Sequence, residues 1–389
     1  MARFLFVVPP ATGHINPTVS VAHHLTERGH QVAWVGYARK TRPLLPENGA
    51  LFALDEGDFQ RIEAEYTPLS EVARGLESVI LFWERFMLPL SATMLAGVEE
   101  AIDRFRPDVV VSDQQALAGA LSARKRRLPW ATLVTTAAGV LNRPVQDLPL
   151  LWEFYQDKLA CAQKSAGLDV QENGDKSPHL VVVFSSRELV FGEAFPDHYQ
   201  FVGPSFSARP QTTPFPWERL QDRPRVLISL GTVNADRGQR FYQTALEALG
   251  SSPWQVILVA PPERIGQAAV PDNFLVRAYV PQLALLPLVQ AVVCHAGQNT
   301  VSEALAHGVP LVVLPIKDDQ PVIAAQVEQA GVGIRLKFGR LRAADLLQAV
   351  LRVLTEPHYR LAAERVQESF ARAGGARRAA SLLESLLSS

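Results

Sequence analysis

Apolar and polar residues along the chain follow a pattern that predicts buried strands, each followed by an amphipathic helix. The first apolar run, at 3–9, is short and uninterrupted, as in a strand buried on both faces of a parallel sheet. A helix is expected next, with Asn16 as its N-cap, Pro17 at its first position and Gly29 as its stop. A strand at 32–37 completes a βαβ unit.

The same alternation continues through the first half of the chain and restarts in the second half. Strands are predicted at 107–113, 130–135 and 179–185 in the first half. The restart is the run at 225–231, and it is followed by apolar segments at 255–260, 275–280, 291–295 and 309–315. The pattern therefore predicts the α/β class, with a doubly wound parallel sheet in each half.

A proline-rich stretch without periodicity separates the two halves, and it contains Pro204, Pro210, Pro214, Pro216 and Pro224. We therefore predict a Rossmann-like N-terminal domain at 1–203, a linker at 204–224 and a Rossmann-like C-terminal domain at 225–370. The segment at 371–389 is predicted to be a C-terminal helix that packs back on the N-terminal domain.

Composition narrows the classes of protein to which the chain can belong. Its 389 residues are enough for two domains, and 48% hydrophobic with 20% charged residues is ordinary for a globular protein. A formal net charge of −1 shows no basic surplus for nucleic acid. The two cysteines, Cys161 and Cys294, are too far apart in sequence for a zinc motif or a disulfide framework, which fits a reducing cytoplasm.

The segment at 76–95 is the most apolar long stretch, but Glu84, Arg85 and Pro89 interrupt it. No apolar run in the sequence is long enough to span a bilayer without interruption. We interpret 76–95 as a buried or cleft-lining helix, with a peripheral membrane contact as the alternative. Aromatic residues that include Phe82, Trp83 and Phe86 indicate either core packing or an apolar pocket for a large acceptor.

His14 and Asp113 are the candidate catalytic pair. His14 follows the first strand, and Asp113 ends a later one, so a parallel sheet brings both to the rim where ligands bind. A carboxylate that holds one imidazole nitrogen leaves the other to accept a proton as a general base. The alternatives are that His14 only caps the first helix and that Asp113 caps a helix from Ala116 onward.

The stretch at 279–320 is the candidate site for a nucleotide. His295 ends a predicted strand, and Gly297 opens a helix whose N–H groups and dipole make an anion site. His295, Asn299 and Thr300 can add hydrogen bonds to a diphosphate, whereas the alternative is that Asn299 or Thr300 only caps the helix. Gly231 and Thr232 form the matching loop after the first strand of this domain.

The same stretch carries groups suited to a base, a ribose and a sugar. Tyr279 can stack on a base, although it is equally an ordinary strand aromatic. Glu303, on the first turn of the helix, can accept from ribose hydroxyls. Asp319 and Gln320 begin a later helix and offer acceptors and a donor for sugar hydroxyls, with a simple helix cap as the alternative.

These residues resemble the nucleotide-sugar signature of the family 1 glycosyltransferases. The plant form of that signature is Trp-x-Pro-Gln, then His-Cys-Gly-Trp-Asn-Ser-x-x-Glu, then Gly-Val-Pro, then Asp/Glu-Gln. This chain has Tyr279-x-Pro281-Gln282, His295-Ala-Gly297-Gln298-Asn299-Thr300-x-x-Glu303, Gly308-Val309-Pro310 and Asp319-Gln320. Its opening, Pro-Ala-Thr-Gly13-His14-Ile-Asn-Pro17, looks like that of bacterial members that glycosylate macrolides, other polyketides or flavonoids. Tyr279 and Gln298 depart from the pattern, where the plant form has Trp.

The resemblance implies the GT-B fold, with two doubly wound Rossmann-like domains that face each other across a cleft. It implies His14 as the catalytic base and Asp113 as its partner. It assigns the donor site to the following residues: Gly13, Gly231, Thr232, Tyr279, Val280, Gln282, His295, Gly297, Gln298, Asn299, Thr300, Glu303, Asp319 and Gln320.

The function implied is an inverting transfer of a hexose from a nucleoside diphosphate sugar to a hydroxyl of a small, largely apolar natural product. Asp319 and Gln320 favour a hexose with free hydroxyls, so UDP-glucose is the expected donor. No Asp-x-Asp motif follows a predicted strand, and we expect no cofactor and no essential metal ion. The expected partners are these two small molecules, without nucleic acid and without a transmembrane segment.

Three alternative functions can be weighed against the same residues. A lipid-linked N-acetylglucosaminyl transferase of the same fold would need a strongly basic membrane face and a second Gly-rich loop, which the chain lacks. A nicotinamide oxidoreductase would need G-x-G-x-x-G after a strand, and the segment from Gly331 to Gly333 lacks the third glycine. A catalytically silent partner protein would not need both His14 and Asp113.

Overall fold

Two compact units make up the structure, a computed structural model that describes residues 1–73, 76–136, 149–190, 195–206, 214–231, 238–265 and 269–388. Unit 1 consists of Met1–Ser185, Ala194–Ala208 and Ala373–Ser389, and unit 2 consists of Ser186–Glu193 and Arg209–Arg372. Each unit is built on one parallel sheet.

Unit 1 has a seven-stranded sheet in the order β3-β2-β1-β4-β5-β6-β7. The strands are β1 (Arg3–Val7), β2 (Gln31–Gly36), β3 (Ala50–Ala53), β4 (Val109–Asp113), β5 (Trp130–Val134), β6 (Val181–Val183) and β7 (Tyr199–Phe201). The helices that follow them are α1 (Thr12–Glu27), α2 (Ala38–Thr41), α3 (Glu56–Val72), α4 (Leu76–Phe82), α5 (Leu88–Phe105), α6 (Leu117–Lys125) and α7 (Pro149–Ser165).

Unit 2 repeats the arrangement with a six-stranded sheet in the order β10-β9-β8-β11-β12-β13. The strands are β8 (Arg225–Ser229), β9 (Gln255–Val259), β10 (Phe274–Arg277), β11 (Ala291–Cys294), β12 (Leu311–Val313) and β13 (Gly333–Arg335). The helices are α8 (Gln239–Leu249), α9 (Pro262–Ile265), α10 (Gln282–Leu285), α11 (Gln298–Ala306), α12 (Gln320–Gln329), α13 (Ala343–Thr355) and α14 (Pro357–Ala373).

The central strand β1 shows why the sheets form. Its side chains alternate between the two faces of the sheet, and both faces are covered. Phe4 and Phe6 pack with α1 on one face, whereas Leu5 and Val7 pack with α5 on the other. All four side chains are fully buried, so the uninterrupted apolar run is the signature of this central position.

The last helix, α15 (Gly375–Ser385), is part of unit 1, where it packs on α1. Ala379 and Leu383 enter the same core cluster as Phe4 and Phe6. A half-buried hydrogen bond joins Nε2 of His30 and Oε1 of Glu384 at 2.9 Å. The end of the chain therefore covers one face of the first sheet.

The start of α1 differs from the sequence prediction. The helix begins at Thr12, five residues before Pro17, and it ends before Gly29, whose φ of 81° is the expected left-handed stop. The N–H groups of His14 and Ile15 both donate to the Ala11 carbonyl, which forms the first turn although Pro17 later lacks an N–H. His14 therefore lies on the first turn of a helix rather than in the preceding loop.

The apolar segment at 76–95 is helical, with a π-helical turn at Trp83–Met87 between α4 and α5. Among the described residues, one helix, Glu77–Phe105, is long and apolar enough by length and composition to cross a membrane. Core helices of globular proteins that pass the same test are mostly buried, whereas 22% of the apolar window of this helix is buried. Its α5 part nevertheless places Leu90, Met94 and Val98 in the core of unit 1.

Candidate active site

Strands β1 and β4 position the candidate catalytic residues of unit 1. They are neighbours in the sheet, with Val7 opposite Ser112. After β1 the chain continues to β2 toward one edge of the sheet, and after β4 it continues to β5 toward the other edge. Ligands bind at the carboxyl ends of strands at such a switch in strand order. His14 follows β1, and Asp113 is the last residue of β4, so both lie at this point.

The two side chains are in direct contact. Nδ1 of His14 lies 2.9 Å from Oδ1 of Asp113, and the two residues are 6% and 1% exposed. The backbone N–H of Gln115 donates to the same oxygen at 2.8 Å. Asp113 therefore holds His14 and closes a turn before α6. The N-cap of α6 is Ala116 and no side chain caps this helix, so the alternative that Asp113 is the helix cap is wrong.

A third residue completes this arrangement, and the sequence prediction missed it. Oγ1 of Thr135 lies 2.7 Å from Nδ1 of His14 and 2.7 Å from Oδ2 of Asp113. Thr135 follows β5, which pairs with β4 so that Leu133 is opposite Asp113. The sequence feature that could have identified Thr135 is a hydroxyl residue at the carboxyl end of the strand that neighbours β4.

Unit 2 has the corresponding switch in strand order between β8 and β11, where Ser229 is opposite Cys294. Gly231 and His295 follow these strands and touch each other. A Cβ on Gly231 would lie 2.6 Å from Cε1 of His295, and a Cβ on Gly297 would collide with Nε2 of the same ring. The imidazole is therefore packed against two glycines, and Gly231 also needs its left-handed φ of 71°.

Gly297 precedes α11, which begins at Gln298, and no side chain caps this end of the helix. Asn299 and Thr300 lie inside the helix, so the interpretation that one of them is the N-cap is wrong. Gln298 is 9% exposed and donates from Nε2 to Oγ of Ser302 at 2.9 Å. Its buried Oε1 has no hydrogen-bond partner within the part of the chain that the structure describes.

Gln282 and Glu303 were predicted separately, and the structure joins them. Nε2 of Gln282 donates to Oε2 of Glu303 at 2.6 Å, and Glu303 is only 2% exposed. Tyr279 follows β10 and is 69% exposed, so its ring is available to a ligand and is not part of the core. Val280, beside it, is half-buried.

Asp319 occupies the N-cap position of α12, the alternative considered for it, but its side chain makes no capping hydrogen bond. Gln320 is 5% exposed, and its Oε1 accepts from the backbone N–H groups of Ile316 at 2.8 Å and Lys317 at 3.1 Å. The side-chain carbonyl of Gln320 therefore holds the preceding loop in place. The side-chain NH2 group is the part of Gln320 that is suited to a ligand. Gly13 is the second residue of α1, and the prediction for Thr232 lies outside the described residues.

The environment of His295 determines its charge. Burial lowers the pKa of this imidazole from 6.5 to about 4, so the ring is neutral near pH 7. In the unfolded chain the same ring takes up a proton below its ordinary pKa of about 6.5. Between those two values the unfolded state binds a proton that the folded state does not, and stability must fall as the pH is lowered.

We expect this effect to be measurable as a pH-dependent free energy of unfolding. The difference between pKa 6.5 and about 4 corresponds to at most about 3 kcal/mol, lost as the pH falls through that range. Urea unfolding at pH 4.5 and pH 7 should show a smaller difference in His295→Gln than in the wild type. An unchanged difference would contradict the assignment of a neutral, buried ring.

The packing of His295 also gives a prediction for Gly297. Gly297→Ala should push the imidazole away from the helix N-terminus. Binding of UDP, the nucleotide expected from the sequence, should weaken by roughly tenfold, which is about 1.4 kcal/mol. Isothermal titration calorimetry measures the change. Gly339→Ala is the matched control in unit 2, because a Cβ there meets no atom within 4 Å. Equal affinities of the two variants would show that the ring position is unimportant.

Comparison with known proteins assigns this chain to a family. A family model described as UDP-glucoronosyl and UDP-glucosyl transferase matches residues 218–368. Demethyllactenocin mycarosyltransferase from Streptomyces fradiae is 32% identical over 425 residues, which cover 100% of this chain and 87% of that protein. The chain belongs to the family 1 glycosyltransferases. The resemblance inferred from the motif at 279–320 is thereby confirmed.

Further comparisons give this glycosyltransferase its fold. The NDP-glycosyltransferase YjiC from Bacillus subtilis (strain 168) is 28% identical, with 97% of this chain and 95% of that protein covered. The crystal structure of the calicheamicin glycosyltransferase CalG4 superposes with a TM-score of 0.78 at 24% identity, covering 100% of this chain and 98% of that one. The two parallel-sheet units of the glycosyltransferase are thus those of the GT-B fold, as predicted.

Proposed function

We propose that this glycosyltransferase moves a hexose from a nucleoside diphosphate sugar to a hydroxyl group of a small, apolar natural product, with inversion at the anomeric carbon. The observation that carries the proposal is the buried contact between His14 and Asp113 at 2.9 Å. A buried carboxylate accepts the Nδ1 proton, which leaves the lone pair of the imidazole on Nε2. That is the tautomer needed in a general base.

In the proposed reaction, Nε2 of His14 takes the proton of the acceptor hydroxyl. The acceptor oxygen forms a bond to the anomeric carbon, and the bond from that carbon to the diphosphate oxygen breaks on the opposite side. The electron pair of the broken bond leaves with the nucleoside diphosphate. Asp113 stabilises the imidazolium that results, because its carboxylate lies within hydrogen-bond distance of Nδ1.

Unit 2 is proposed to hold the donor. The N–H groups at the start of α11 favour the negative charge of a diphosphate. His295 is neutral near pH 7, so it contributes a hydrogen bond and not a cationic charge. The backbone donors, His295, Asn299 and Thr300 are placed before the reaction begins and can stabilise the leaving group. For this reason we propose that no metal ion is essential.

The other groups of unit 2 are proposed to select the nucleoside and the sugar. Glu303 accepts from ribose hydroxyls, and Gln282 fixes the orientation of its carboxylate. Tyr279 stacks on the base through its exposed ring. Asp319 and the NH2 group of Gln320 contact sugar hydroxyls, which supports glucose, carried on UDP, as the donor sugar. The name of the Streptomyces fradiae relative specifies a mycarosyl group, so other sugars belong in the test.

The acceptor is proposed to contact an aromatic cluster in unit 1, consisting of Tyr66, Phe82, Trp83, Phe86 and Tyr155. Phe86 stacks on Phe82 at 5.6 Å between ring centroids and lies 5.1 Å from Tyr66. Trp83 meets the edge of Tyr155 at 5.2 Å. All five side chains are half-buried, and an aromatic surface of this kind suits an apolar natural product.

We propose a cytoplasmic location, where nucleoside diphosphate sugars are made. Cys161 and Cys294 are both free thiols, which supports a reducing compartment.

Calorimetric titration tests the proposed donor. UDP-glucose, dTDP-glucose and NADH should each be titrated into the enzyme at one ionic strength. We expect UDP-glucose to bind more tightly than dTDP-glucose, because Glu303 can accept from a ribose 2′-hydroxyl that the deoxyribose lacks. NADH should not bind. Tighter binding of dTDP-glucose would show that the donor carries thymidine and not uridine. Binding of NADH alone would overturn the proposed function.

A further inference from the structure

Three side chains in unit 1 close a ring of hydrogen bonds at the candidate base. Oγ1 of Thr135 is 2.7 Å from both Nδ1 of His14 and Oδ2 of Asp113, and Nδ1 is 2.9 Å from Oδ1 of the same carboxylate. Thr135 is 3% exposed, so water does not compete for these contacts. Each distance is that of a normal hydrogen bond.

The number of protons allows one consistent arrangement of this ring. A threonine hydroxyl has a single proton, and an ionised carboxylate can only accept. If the hydroxyl donated to Nδ1, that nitrogen would carry a lone pair facing Oδ1 of Asp113, and two acceptors would meet at 2.9 Å. The hydroxyl therefore donates to Oδ2 of Asp113, and the N–H at Nδ1 of His14 is shared between Oδ1 and Thr135.

The carboxylate of Asp113 is then held from three directions. The backbone N–H of Gln115 and Nδ1 of His14 donate to Oδ1, and the Thr135 hydroxyl donates to Oδ2. Hydrogen bonds to an ionised carboxylate stabilise its charged form and fix its plane. The same hydroxyl oxygen contacts the imidazole, so a single atom sets the orientation of both members of the pair.

We propose that Thr135 is a positioning residue for the transfer reaction. It holds the Asp113 carboxylate against the His14 ring through contacts to both residues, and it thereby maintains the tautomer in which Nε2 accepts the proton. The inference rests on the proposed role of His14 as the base. It adds a third residue to the pair, directly after the strand next to β4.

Thr135→Val tests the proposal, because valine keeps the shape of threonine and removes the hydroxyl. We expect kcat to fall by roughly tenfold, as for loss of a hydrogen bond to a charged group. The KM for the acceptor and the affinity for UDP should be unchanged. Thr135→Ser should restore kcat to within about twofold of the wild type, since it returns the hydroxyl oxygen.

Thr132→Val is the matched control, on the strand β5 that Thr135 directly follows. Oγ1 of Thr132 is fully buried and accepts from the backbone N–H of Ser177 at 2.9 Å, so its loss removes a structural hydrogen bond. This variant should lower the melting temperature and keep the kcat of the wild type. A direct readout is the ¹⁵N spectrum of labelled histidine, in which the Nδ1–H signal of His14 should broaden or move in Thr135→Val and persist in Thr132→Val.

Wild-type kcat in Thr135→Val, or a Thr135→Ser variant as slow as Thr135→Val, would overturn the proposal. So would an equal loss of kcat in Thr132→Val, which would indicate a general loss of structure. A failure of the proposed function has a different signature, because His14→Ala would then remain active. Inactive His14→Ala together with fully active Thr135→Val would reject the role of Thr135 alone.

Discussion

Replacement of His14 by alanine is expected to lower kcat by about 10²–10⁴-fold, the usual contribution of a positioned general base. The variant removes the only atoms proposed to take the acceptor proton, and it leaves the residues of unit 2 unchanged. The affinity for UDP, measured by calorimetry, should therefore equal that of the wild type. Initial rates of product formation at saturating donor and acceptor measure the loss of kcat.

His23→Ala is the matched control for this experiment. His23 lies on the same helix and contacts Glu27 on the exposed surface, so it shares the backbone environment without the contact to Asp113. Its kcat should be that of the wild type. If His14→Ala also turned over at the wild-type rate, another group would have to be the base, and the role proposed for Asp113 would fail with it.

Glu303→Ala is expected to raise the Kd for UDP by roughly 10–100-fold, because hydrogen bonds to a charged group contribute about 1.5–3 kcal/mol. The carboxylate is buried and already oriented by Gln282, so the loss includes a ribose contact and an unpaired amide. Glu303→Gln should fall between the wild type and Glu303→Ala, since it keeps the size of the side chain and one acceptor oxygen.

The control for Glu303 is a carboxylate of unit 2 on an exposed position. Glu328 lies on α12 and is exposed, so Glu328→Gln should bind UDP with the wild-type affinity. Thermal unfolding of all three variants separates a loss of binding from a loss of folded protein. Wild-type affinity in folded Glu303→Ala would show that the ribose is held elsewhere.

The central strands of both sheets were predictable because they are buried on two faces. β1, β4, β8 and β11 are runs of large apolar residues, and each was located from the sequence to within one or two residues. The edge strands β3 and β7 were missed. They have four and three residues, and their side chains are exposed or half-buried, so no apolar run marks them.

The start of α1 shows a limit of local rules. Asn16 and Pro17 form a good start signal for a helix, but both are buried in the folded chain within a helix that begins at Thr12. Burial of Ile15 and the contact between His14 and Asp113 stabilise the helix that starts earlier, at Thr12. Tertiary interactions of this kind override a preference that is worth only about 1 kcal/mol.

In the candidate site, the sequence was enough to predict which residues at strand ends are functional, but not which side chains contact them. His14, Asp113 and Glu303 stand out because their chemistry and spacing match a known signature. Thr135 carries no such signature, and its hydroxyl becomes important only through two distances of 2.7 Å across three strands. The hydrogen bond between Gln282 and Glu303 is equally a product of the fold.

The most direct test of the account is the mass of the product formed from UDP-glucose and a panel of hydroxyl-bearing polyketide and flavonoid acceptors. We expect at least one acceptor to gain a single hexosyl group, with release of one equivalent of UDP, in the wild type and not in His14→Ala. Acceptors that remain unmodified with every nucleoside diphosphate sugar, or a product formed equally well by His14→Ala, would contradict the account.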